Sequence, residues 1–456
     1  MTILDVSIVN VALPSIAKDL HFSRENLQWV ITAYSIAFGG FLLLGGRAAD
    51  LLGRRRVFLV GVAIFTIASL VCGLAQSEGM LIASRAVQGL GGAIISPAAL
   101  SIVTTTFEEG ADRNKALGVW GALGGSGAAV GVLLGGVLTD YLSWRWIFFV
   151  NVPVGALVLL VTTSIVPESR READERHYDA LGAVLVSAGL ALLVYAISEA
   201  PNVGWGTVRT IGLLVGAVAL LVAFLVNERR VKDPLMPFQI FQVRTVAGAN
   251  AVGFLLGAVI FANFFLLTLY VQGVLHYSPL KAGLTFLATA GTAVLAAGVA
   301  QALTTRFGAK PIIVIGLVLL TAAMVWYSRI PVDGKFTSDL LPGYLLVGVG
   351  IAFSYVPVSI AALAGVVERE AGLASGLINT SQQVGGAIGT AVASTVFASH
   401  FKTLLHEGRS VPDALTHGYG YGFWALAFFG LAGIIAALTL IRREEMAETP
   451  AAATIA

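Results

Sequence analysis

The sequence predicts an all-α protein that crosses a membrane many times. Hydrophobic residues make up 57% of the chain, charged residues 12%, and the mean hydropathy is +0.85. A soluble protein has about a quarter charged residues. Here the apolar residues lie in long runs, and small charged clusters separate the runs. A run of about 18 apolar residues crosses the ~30 Å hydrocarbon layer as a helix.

Fourteen such runs can be counted, and twelve spans remain an alternative if two weak runs do not cross. The first is short, about 16 residues, which suggests that the chain begins part-way into a longer helix. It lacks a basic start and a small-residue cleavage site, so we expect no cleavable signal peptide. The runs are centred near residues 9, 37, 66, 92, 127, 156, 189, 218, 258, 292, 320, 351, 386 and 431.

Lys and Arg predict the orientation. If the N-terminus is cytoplasmic, the loops and tail on that side carry about twice as many Lys and Arg as the opposite loops. A basic turn also occurs twice, at Asp50 to Arg55 and at Thr305 to Lys310. This repeat predicts two related six-helix bundles. The predicted divisions are 1–166 for the N-terminal bundle, 167–244 for two inserted helices and linkers, 245–441 for the C-terminal bundle and 442–456 for a cytoplasmic tail.

The first basic turn has the composition of a gate. Gly46 and Gly53 allow helix ends and a tight turn to approach neighbouring backbone. Asp50 and Arg54, at positions i and i+4, can pair with each other or with a helix end, and Arg55 adds a second charge. We expect a cytoplasmic latch here. The alternative is a positively charged anchor with glycine turns.

Two charged residues fall inside predicted spans, Asp5 in the first and Arg85 in the fourth. A charge at the bilayer centre costs about 2.5 to 3.5 kcal/mol, so it normally faces a protein interior or a water-filled cavity. Asp5 is therefore the candidate proton carrier. The alternatives are that Asp5 is solvated near the interface and that Arg85 is a hydrogen-bonding strut.

The fifth predicted span is rich in glycine, and Gly127, Gly131 and Gly135 form one smooth helix face beside Gly136. Polar and aromatic residues in other spans suggest a cavity for bulky amphipathic ligands, although ordinary packing is the alternative for each of them. The candidate cavity residues are Asn10, Tyr34, Gln88, Asn250, Phe254, Phe261, Asn263, Tyr355, Asn379 and Gln382.

Several classes of chemistry are disfavoured. The six histidines show no ligand spacing and Cys72 is the single cysteine, so we expect no metal and no cofactor. No P-loop of the form Gly-x-x-x-x-Gly-Lys-Ser/Thr occurs, so ATP is not the direct energy source. An ion gradient is the expected source, and one proton supplies about 3 kcal/mol, enough for a roughly hundredfold solute gradient.

Five segments together resemble the fourteen-span drug:proton antiporter branch of the major facilitator superfamily, the EmrB/QacA-like proteins. They are Leu4 to Pro14, the Gly46 to Arg56 turn, Leu81 to Ala93, the glycine series of span five and Trp144 to Pro153. The resemblance implies the major facilitator fold, a role of Arg85 in proton movement, and stabilisation of the outward-facing state by Asp50 and Arg54. The family's antiporter signature usually carries Gly-Pro, whereas Gly131 is followed here by Val132.

The sequence therefore predicts a proton-coupled exporter of hydrophobic or cationic compounds in the cytoplasmic (inner) membrane, with both termini cytoplasmic. The expected partners are small amphipathic or cationic substrates, protons and the lipid bilayer, with no nucleic acid. We expect a monomer, and an adaptor protein is an open possibility. The alternatives are a proton-linked symporter or facilitator of a small metabolite, and a membrane receptor or enzyme.

Overall fold

A computed structural model describes residues 1–23, 26–107, 127, 130–166, 179–232, 234–236, 238–363 and 371–442. These residues form helices and turns, without a strand among them. The helices are α1 Thr2–Asp19, α2 Trp29–Leu52, α3 Arg54–Gly73, α4 Glu78–Thr106, α5 Val130–Tyr141, α6 Trp146–Ile165, α7 Ala180–Val203, α8 Val208–Arg230, α9 Arg244–Gly273, α10 Pro279–Phe307, α11 Ala309–Tyr327, α12 Leu341–Leu363, α13 Ala371–His406 and α14 Val411–Leu440.

Twelve of these helices are long and apolar enough to cross a bilayer. The other two, α1 and α5, lie at the predicted first and fifth spans; that they also cross stays a prediction. The sequence places α1 over about 16 residues, and the structure gives it 18. The all-helical membrane architecture is confirmed, while the total of fourteen crossings is not decided by the described residues.

The two basic turns have the same backbone arrangement. Gly53 alone separates α2 from α3, and Gly308 alone separates α10 from α11. Both glycines have positive φ, +111° and +84°, a conformation that a side chain disfavours. The same one-residue turn therefore stands at corresponding positions in the two halves. This correspondence supports the two-bundle division, which stays a proposal.

The helices before and after the α7–α8 pair pack as two groups. In the first group, α2 and α3 both pack along α4. In the second group, α9 packs along α13 and α14, and α12 packs along α10 and α11. One continuous apolar cluster includes Phe265, Tyr327 and Phe423 of the second group, and it extends to Ile8 of α1 and Phe148 of α6.

The α7–α8 hairpin lies over the seam between the two groups, because α7 contacts both α2 and α13. Gln28, just before α2, donates through Nε2 to Ser198 Oγ at 2.6 Å. Thr395 of α13 donates through Oγ1 to the carbonyl of Ile197 at 3.2 Å. The inserted pair therefore touches one helix from each half.

The two halves also meet directly on the face where α1 ends and α2 begins, called here the α1–α2 face. Gln272 of α9 donates to the carbonyl of Val11 at 2.7 Å. The amide of Leu280 donates to Asp140 Oδ2 at 3.3 Å. These contacts join α1 to α9 and α5 to α10, so the structure is closed between the halves on this face.

Candidate proton-coupling and substrate sites

One face of α4 carries the polar residues of the main buried cluster. Ser77 caps this helix by accepting a hydrogen bond from the amide of Met80 at 3.3 Å. Ser84, Arg85 and Gln88 then follow at helical spacing, and all three are at most 5% exposed. The sequence thus places a guanidinium, an amide and a hydroxyl together inside the N-terminal half.

Asp5 of α1 lies at the centre of this cluster and is completely buried. Its Oδ2 lies 2.5 Å from Arg85 Nη1. Its Oδ1 accepts hydrogen bonds from Gln88 Nε2 at 2.8 Å and from Asn151 Nδ2 at 3.2 Å. The structure therefore places Asp5 in the protein interior with three partners, and the solvated interfacial alternative does not describe it.

Arg85 is held from several sides. Its Nε donates to the carbonyl of Val30 at 2.8 Å, and its Nη1 also donates to Gln88 Oε1 at 2.5 Å. The guanidinium carbon lies 4.4 Å from the ring centroid of Tyr34 and 5.8 Å from that of Phe148. A cation over an aromatic face gains electrostatic energy, the more so when it is desolvated.

Most contacts of this cluster do not depend on the charge of Asp5. A buried ion pair is tolerated only when the remaining hydrogen-bonding capacity of both groups is satisfied. A proton on Asp5 would cancel its charge, yet Arg85 would keep its hydrogen bonds to Val30 and Gln88 and its contact with the Tyr34 ring. Gln88 is held independently, because its Nε2 also donates to Ser69 Oγ at 2.7 Å.

The sequence singled out Asp5 and Arg85 as two charges inside predicted spans but did not pair them with each other. It missed Asn151 and Ser69 as partners. Asn151 lies in the Trp144 to Pro153 segment, which resembles the family, and a polar residue in an apolar run is the signal that points to it. Tyr34 and Gln88 were predicted to line the substrate cavity, and the structure places both in the Asp5 cluster.

The predicted gate turn is partly described. Arg55 of α3 donates through Nη1 to the carbonyl of Val166, at the end of α6, at 3.1 Å. A Cβ on Gly46 would lie 3.4 Å from Pro97 of α4. The side chain of Asp50 lies outside the described residues and Arg54 has interaction partners, so the Asp50–Arg54 latch stays a prediction.

The predicted glycine face on α5 lies between the two halves. A Cβ on Gly131 would lie 2.9 Å from the carbonyl oxygen of Leu4, and one on Gly135 would lie 2.7 Å from that of Ile8. A Cβ on Gly136 would lie 2.8 Å from Leu280 Cα of α10. Glycine therefore lets α5 approach α1 and α10 closely. Gly127 is helical, and the glycines at 118, 121, 124 and 125 lie outside the described residues.

A cavity of about 80 Å³ lies between α9, α12 and α13. Four predicted cavity residues line it: Phe261, Tyr355, Asn379 and Gln382. Two amide atoms, Gln382 Nε2 and Gln383 Oε1, are buried without a hydrogen-bond partner. The wall thus combines aromatic surface with one unused donor and one unused acceptor.

The remaining predicted cavity residues lie elsewhere. Asn10 donates to the carbonyl of Val6 at 2.9 Å, and its Oδ1 is buried without a partner. Asn250 accepts a hydrogen bond from Ser381 Oγ at 2.9 Å. Asn263 is buried and its Oδ1 is unpaired, while the backbone of Phe254 packs against Gly385. None of these residues lines the 80 Å³ cavity.

Comparison with known proteins agrees with this architecture. The family model described as Major Facilitator Superfamily matches residues 1–390. The chain is 41% identical to the puromycin resistance protein pur8 of Streptomyces alboniger, over 100% of this chain and 92% of that protein. It is 39% identical to the cephamycin export protein CmcT of Amycolatopsis lactamdurans, over 99% of this chain and 91% of that protein.

Solved structures match in fold. An auto-inhibited peptide transporter of the POT family superposes with a TM-score of 0.69 over 96% of this chain and 94% of that chain, at 14% identity. The apolar helices and the match to transporter relatives together define a polytopic membrane transporter. The chain belongs to the major facilitator superfamily. Members of this family are transporters, not enzymes, and need no cofactor.

Proposed function

We propose that this protein exports hydrophobic or cationic compounds across the cytoplasmic membrane in exchange for protons, by alternating access between its two halves. The observation that carries the proposal is the completely buried Asp5–Arg85 pair in a chain whose relatives confer antibiotic resistance. An intramembrane carboxylate with a named counter-charge is the expected form of a proton relay.

Protonation of Asp5 provides the switch. With the proton absent, Asp5 and Arg85 attract each other and hold α1 against α4. With the proton present, the attraction to a neutral acid is weaker, so α1 is freer to move relative to α4. Movement of one proton down its gradient then supplies about 3 kcal/mol for the export step.

The substrate path runs along the α9, α12 and α13 wall in this proposal. A site for a drug-sized ligand has about 300 to 1,000 Å³, whereas this cavity has about 80 Å³. The halves must therefore separate before such a ligand binds. Phe261, Tyr355 and Gln382 would provide aromatic area and a hydrogen-bond donor, and the other predicted cavity residues would be reached as the cavity opens.

The closed α1–α2 face is external in this proposal, and both termini are cytoplasmic, as the distribution of Lys and Arg supports. The Gly46 to Arg55 turn then lies at the cytoplasmic gate. A monomer contains both halves and hence the complete pathway, and recruitment of an adaptor is not required for passage across this one membrane.

Proton-driven transport in everted membrane vesicles tests the proposal, with ethidium and puromycin as probes. Wild type is compared with Asp5→Asn and with Asp19→Asn. The two variants have the same chemical change on the same helix, but Asp19 is exposed at the end of α1. We expect gradient-dependent accumulation of at least one probe by wild type and Asp19→Asn, and none by Asp5→Asn.

A second measurement separates coupling from passage. Exchange of labelled puromycin across vesicles without a gradient should persist in Asp5→Asn, because the path for the substrate is intact. If a folded wild type transports neither probe, multidrug export is wrong for these compounds. If Asp5→Asn retains full gradient-driven transport, the proton passes through another group.

A further inference from the structure

The inserted hairpin contains two buried acids that the transport proposal does not use. Asp179 caps the start of α7, and Glu228 lies in the last turn of α8. Because the two helices are antiparallel neighbours, these ends lie side by side. Both side chains are only 3% exposed.

The two carboxyl groups have unequal sets of donors. Asp179 Oδ1 accepts from the amide of Gly182 at 2.8 Å, and both of its oxygens accept from Asn227 Nδ2 at 2.8 Å. Glu228 Oε2 accepts from the amide of Met236 at 2.9 Å. Glu228 Oε1 is buried and has no hydrogen-bond partner among the described residues.

The unpartnered oxygen faces the other acid. A Cβ built on Gly182 would collide with Asp179 Oδ2 and would lie 3.0 Å from Glu228 Oε1, so both oxygens border the same small space. Asp179 Oδ2 and Glu228 Oε1 are both acceptors, and two such oxygens repel when no donor lies between them. A proton shared between them removes the repulsion and gives Glu228 Oε1 a partner.

We propose that Asp179 and Glu228 form a second proton-binding site, in which one proton bridges the two carboxyl groups. The proton resides on Glu228, because Asp179 already has stronger support for its charge from Asn227, Gly182 and the N-terminal end of α7. This site is independent of Asp5, and it exists whether or not Asp5 couples transport to protons.

Among the described residues, the surrounding charges do not replace the proton. On α8 and just beyond it, Arg229, Arg230 and Lys232 are exposed, and the Arg229 guanidinium lies over the ring of Phe238 at 5.8 Å. The first turn of α7 contains no basic residue. The adjoining helices contribute Arg47 of α2, which has other partners, and Arg244 at the start of α9. In the described residues, no cation contacts Glu228 Oε1.

The site is linked to the seam between the two halves. Met236, whose amide is bound by Glu228, belongs to an apolar group that includes Leu43 of α2 and Leu377 of α13. Loss of the shared proton leaves two buried charges in contact. Glu228 has fewer partners than Asp179, so it is the group that moves, and it displaces the linker before α9. The linker thus responds to pH on the face where α2 ends.

Infrared spectroscopy of the full chain in lipid nanodiscs tests for the proton itself. We expect a protonated-carboxyl stretch at neutral pH that decreases in Glu228→Gln and also in Asp179→Asn, because each amide supplies the missing donor. Glu199→Gln is the matched control, since this acid lies at the other end of α7, more exposed and 3.7 Å from Arg209. An unchanged band in both variants would overturn the proposal.

Hydrogen exchange of the peptide containing residues 231–243 tests the consequence. Wild type and Glu228→Gln are compared at each pH between about 5 and about 9, so that the intrinsic effect of pH on exchange cancels. We expect equal protection at low pH and several-fold faster exchange in wild type at high pH. A constant ratio at every pH contradicts the proposal. Asp179→Asn carries the same expectation and serves if Glu228→Gln does not fold.

Discussion

The two halves of the molecule bury their polar groups by different means. In the N-terminal half, a charged pair is surrounded by matched partners, with Asp5 bound by Arg85, Gln88 and Asn151. In the C-terminal half, helices α9 to α13 contain no Asp or Glu, and hydroxyl and amide side chains supply the buried polarity. The buried charged pair and the cavity between α9, α12 and α13 are therefore separated.

Two helix contacts also differ, that of α9 with α13 and that of α1 with α4. Along the α9–α13 seam, a Cβ on Gly257 would collide with the carbonyl of Gln382, and one on Gly385 would collide with that of Phe254. Backbone approaches backbone there, which leaves little freedom to slide.

In contrast, α1 is joined to α4 through the side chains of Asp5, Arg85 and Gln88. Close backbone approach also occurs in the N-terminal half, where a Cβ on Gly89 would collide with the carbonyl oxygen of Tyr34. The contrast is therefore between the α9–α13 seam and the α1–α4 contact.

The largest expected effect comes from removing the cation of the buried pair. Arg85→Leu leaves Asp5 buried without its counter-charge, and loss of one partner of such a pair costs about 3 to 5 kcal/mol. We expect a marked fall in thermal stability. A thiol-reactive dye can report unfolding, because Cys72 is completely buried beside this cluster and donates to Ser84 Oγ at 3.2 Å.

The double variant distinguishes the charge from the packing of the arginine side chain. Arg85→Leu combined with Asp5→Asn removes both charges, so it should recover much of the lost stability. If the double variant is as unstable as Arg85→Leu alone, the stabilisation comes from the arginine contacts with Val30 and Tyr34 rather than from the ion pair.

A smaller effect is expected from filling the glycine seam of the C-terminal half. Gly385→Ala forces the Phe254 backbone to move, and overpacking of this kind costs about 1 to 3 kcal/mol. Gly298→Ala is the matched control, because no atom lies within 4 Å of the added Cβ. There, alanine should be neutral or stabilising by about 1 kcal/mol or less.

Loss of helical circular dichroism on heating measures both glycine variants. Dye labelling of Cys72 in the same samples shows whether the N-terminal half unfolds together with the C-terminal half. Equal shifts by both methods indicate one cooperative unit. A shift in circular dichroism without a shift in Cys72 labelling would sharpen the comparison, because the two halves would then be separate units of stability.

Much of this architecture follows from the sequence because the membrane restricts it strongly. Long apolar runs must be helices, since a bilayer offers no partner for unpaired backbone groups. Hydropathy therefore located the twelve long helices and α1. The one-residue turns at Gly53 and Gly308 were also recognisable, because a glycine beside basic residues recurs in both halves.

The sites were less predictable because their partners lie far apart in the chain. Asp5 and Arg85 are separated by 80 residues, and Asp5 and Asn151 by 146. A single sequence shows that each is an unusual residue for its helix, but not which faces meet. Tyr34 and Gln88 were predicted as cavity residues for this reason. Both side chains are polar, as a residue of a polar site should be. Only the packing of the helices shows that this site is the Asp5 cluster.

An effect of about tenfold is expected at the cavity wall. Gln382→Leu removes a buried amide with an unused donor, so binding of a transported probe should weaken by about tenfold, or about 1.4 kcal/mol. The dependence of transport on the proton gradient should stay as in wild type, because Asp5 is untouched. Gln301→Leu is the control, since Gln301 is an exposed residue of α10.

The effect is measured from the dependence of the transport rate on puromycin concentration. If wild type transports ethidium but not puromycin, ethidium is used as the probe. A higher KM with an unchanged maximal rate supports the assignment of Gln382 to the substrate wall. If Gln382→Leu and Gln301→Leu both behave as wild type, the cavity between α9, α12 and α13 is not part of the path for that probe.

The smallest effect concerns an exposed ion pair at the end of α1, which contrasts with the buried pair on the same helix. Hydrogen bonds from Arg145 at 2.6 Å and from Trp144 at 2.9 Å hold the pKa of Asp19 below its ordinary value. A lowered folded-state pKa contributes stability above the unfolded value, near 3.8, and this stability is lost as pH falls through the folded value.

Because Asp19 is about half exposed, solvent screening limits this contribution to less than about 1 kcal/mol. Asp19→Asn should therefore lower the unfolding temperature slightly at neutral pH and have no further effect once the pH is well below 4. Asp333→Asn, at an exposed site in the turn after α11, is the control. A cost as large as that of Arg85→Leu would mean that the exposed pair also anchors α1, and the contrast between the two ends of this helix would then be lost.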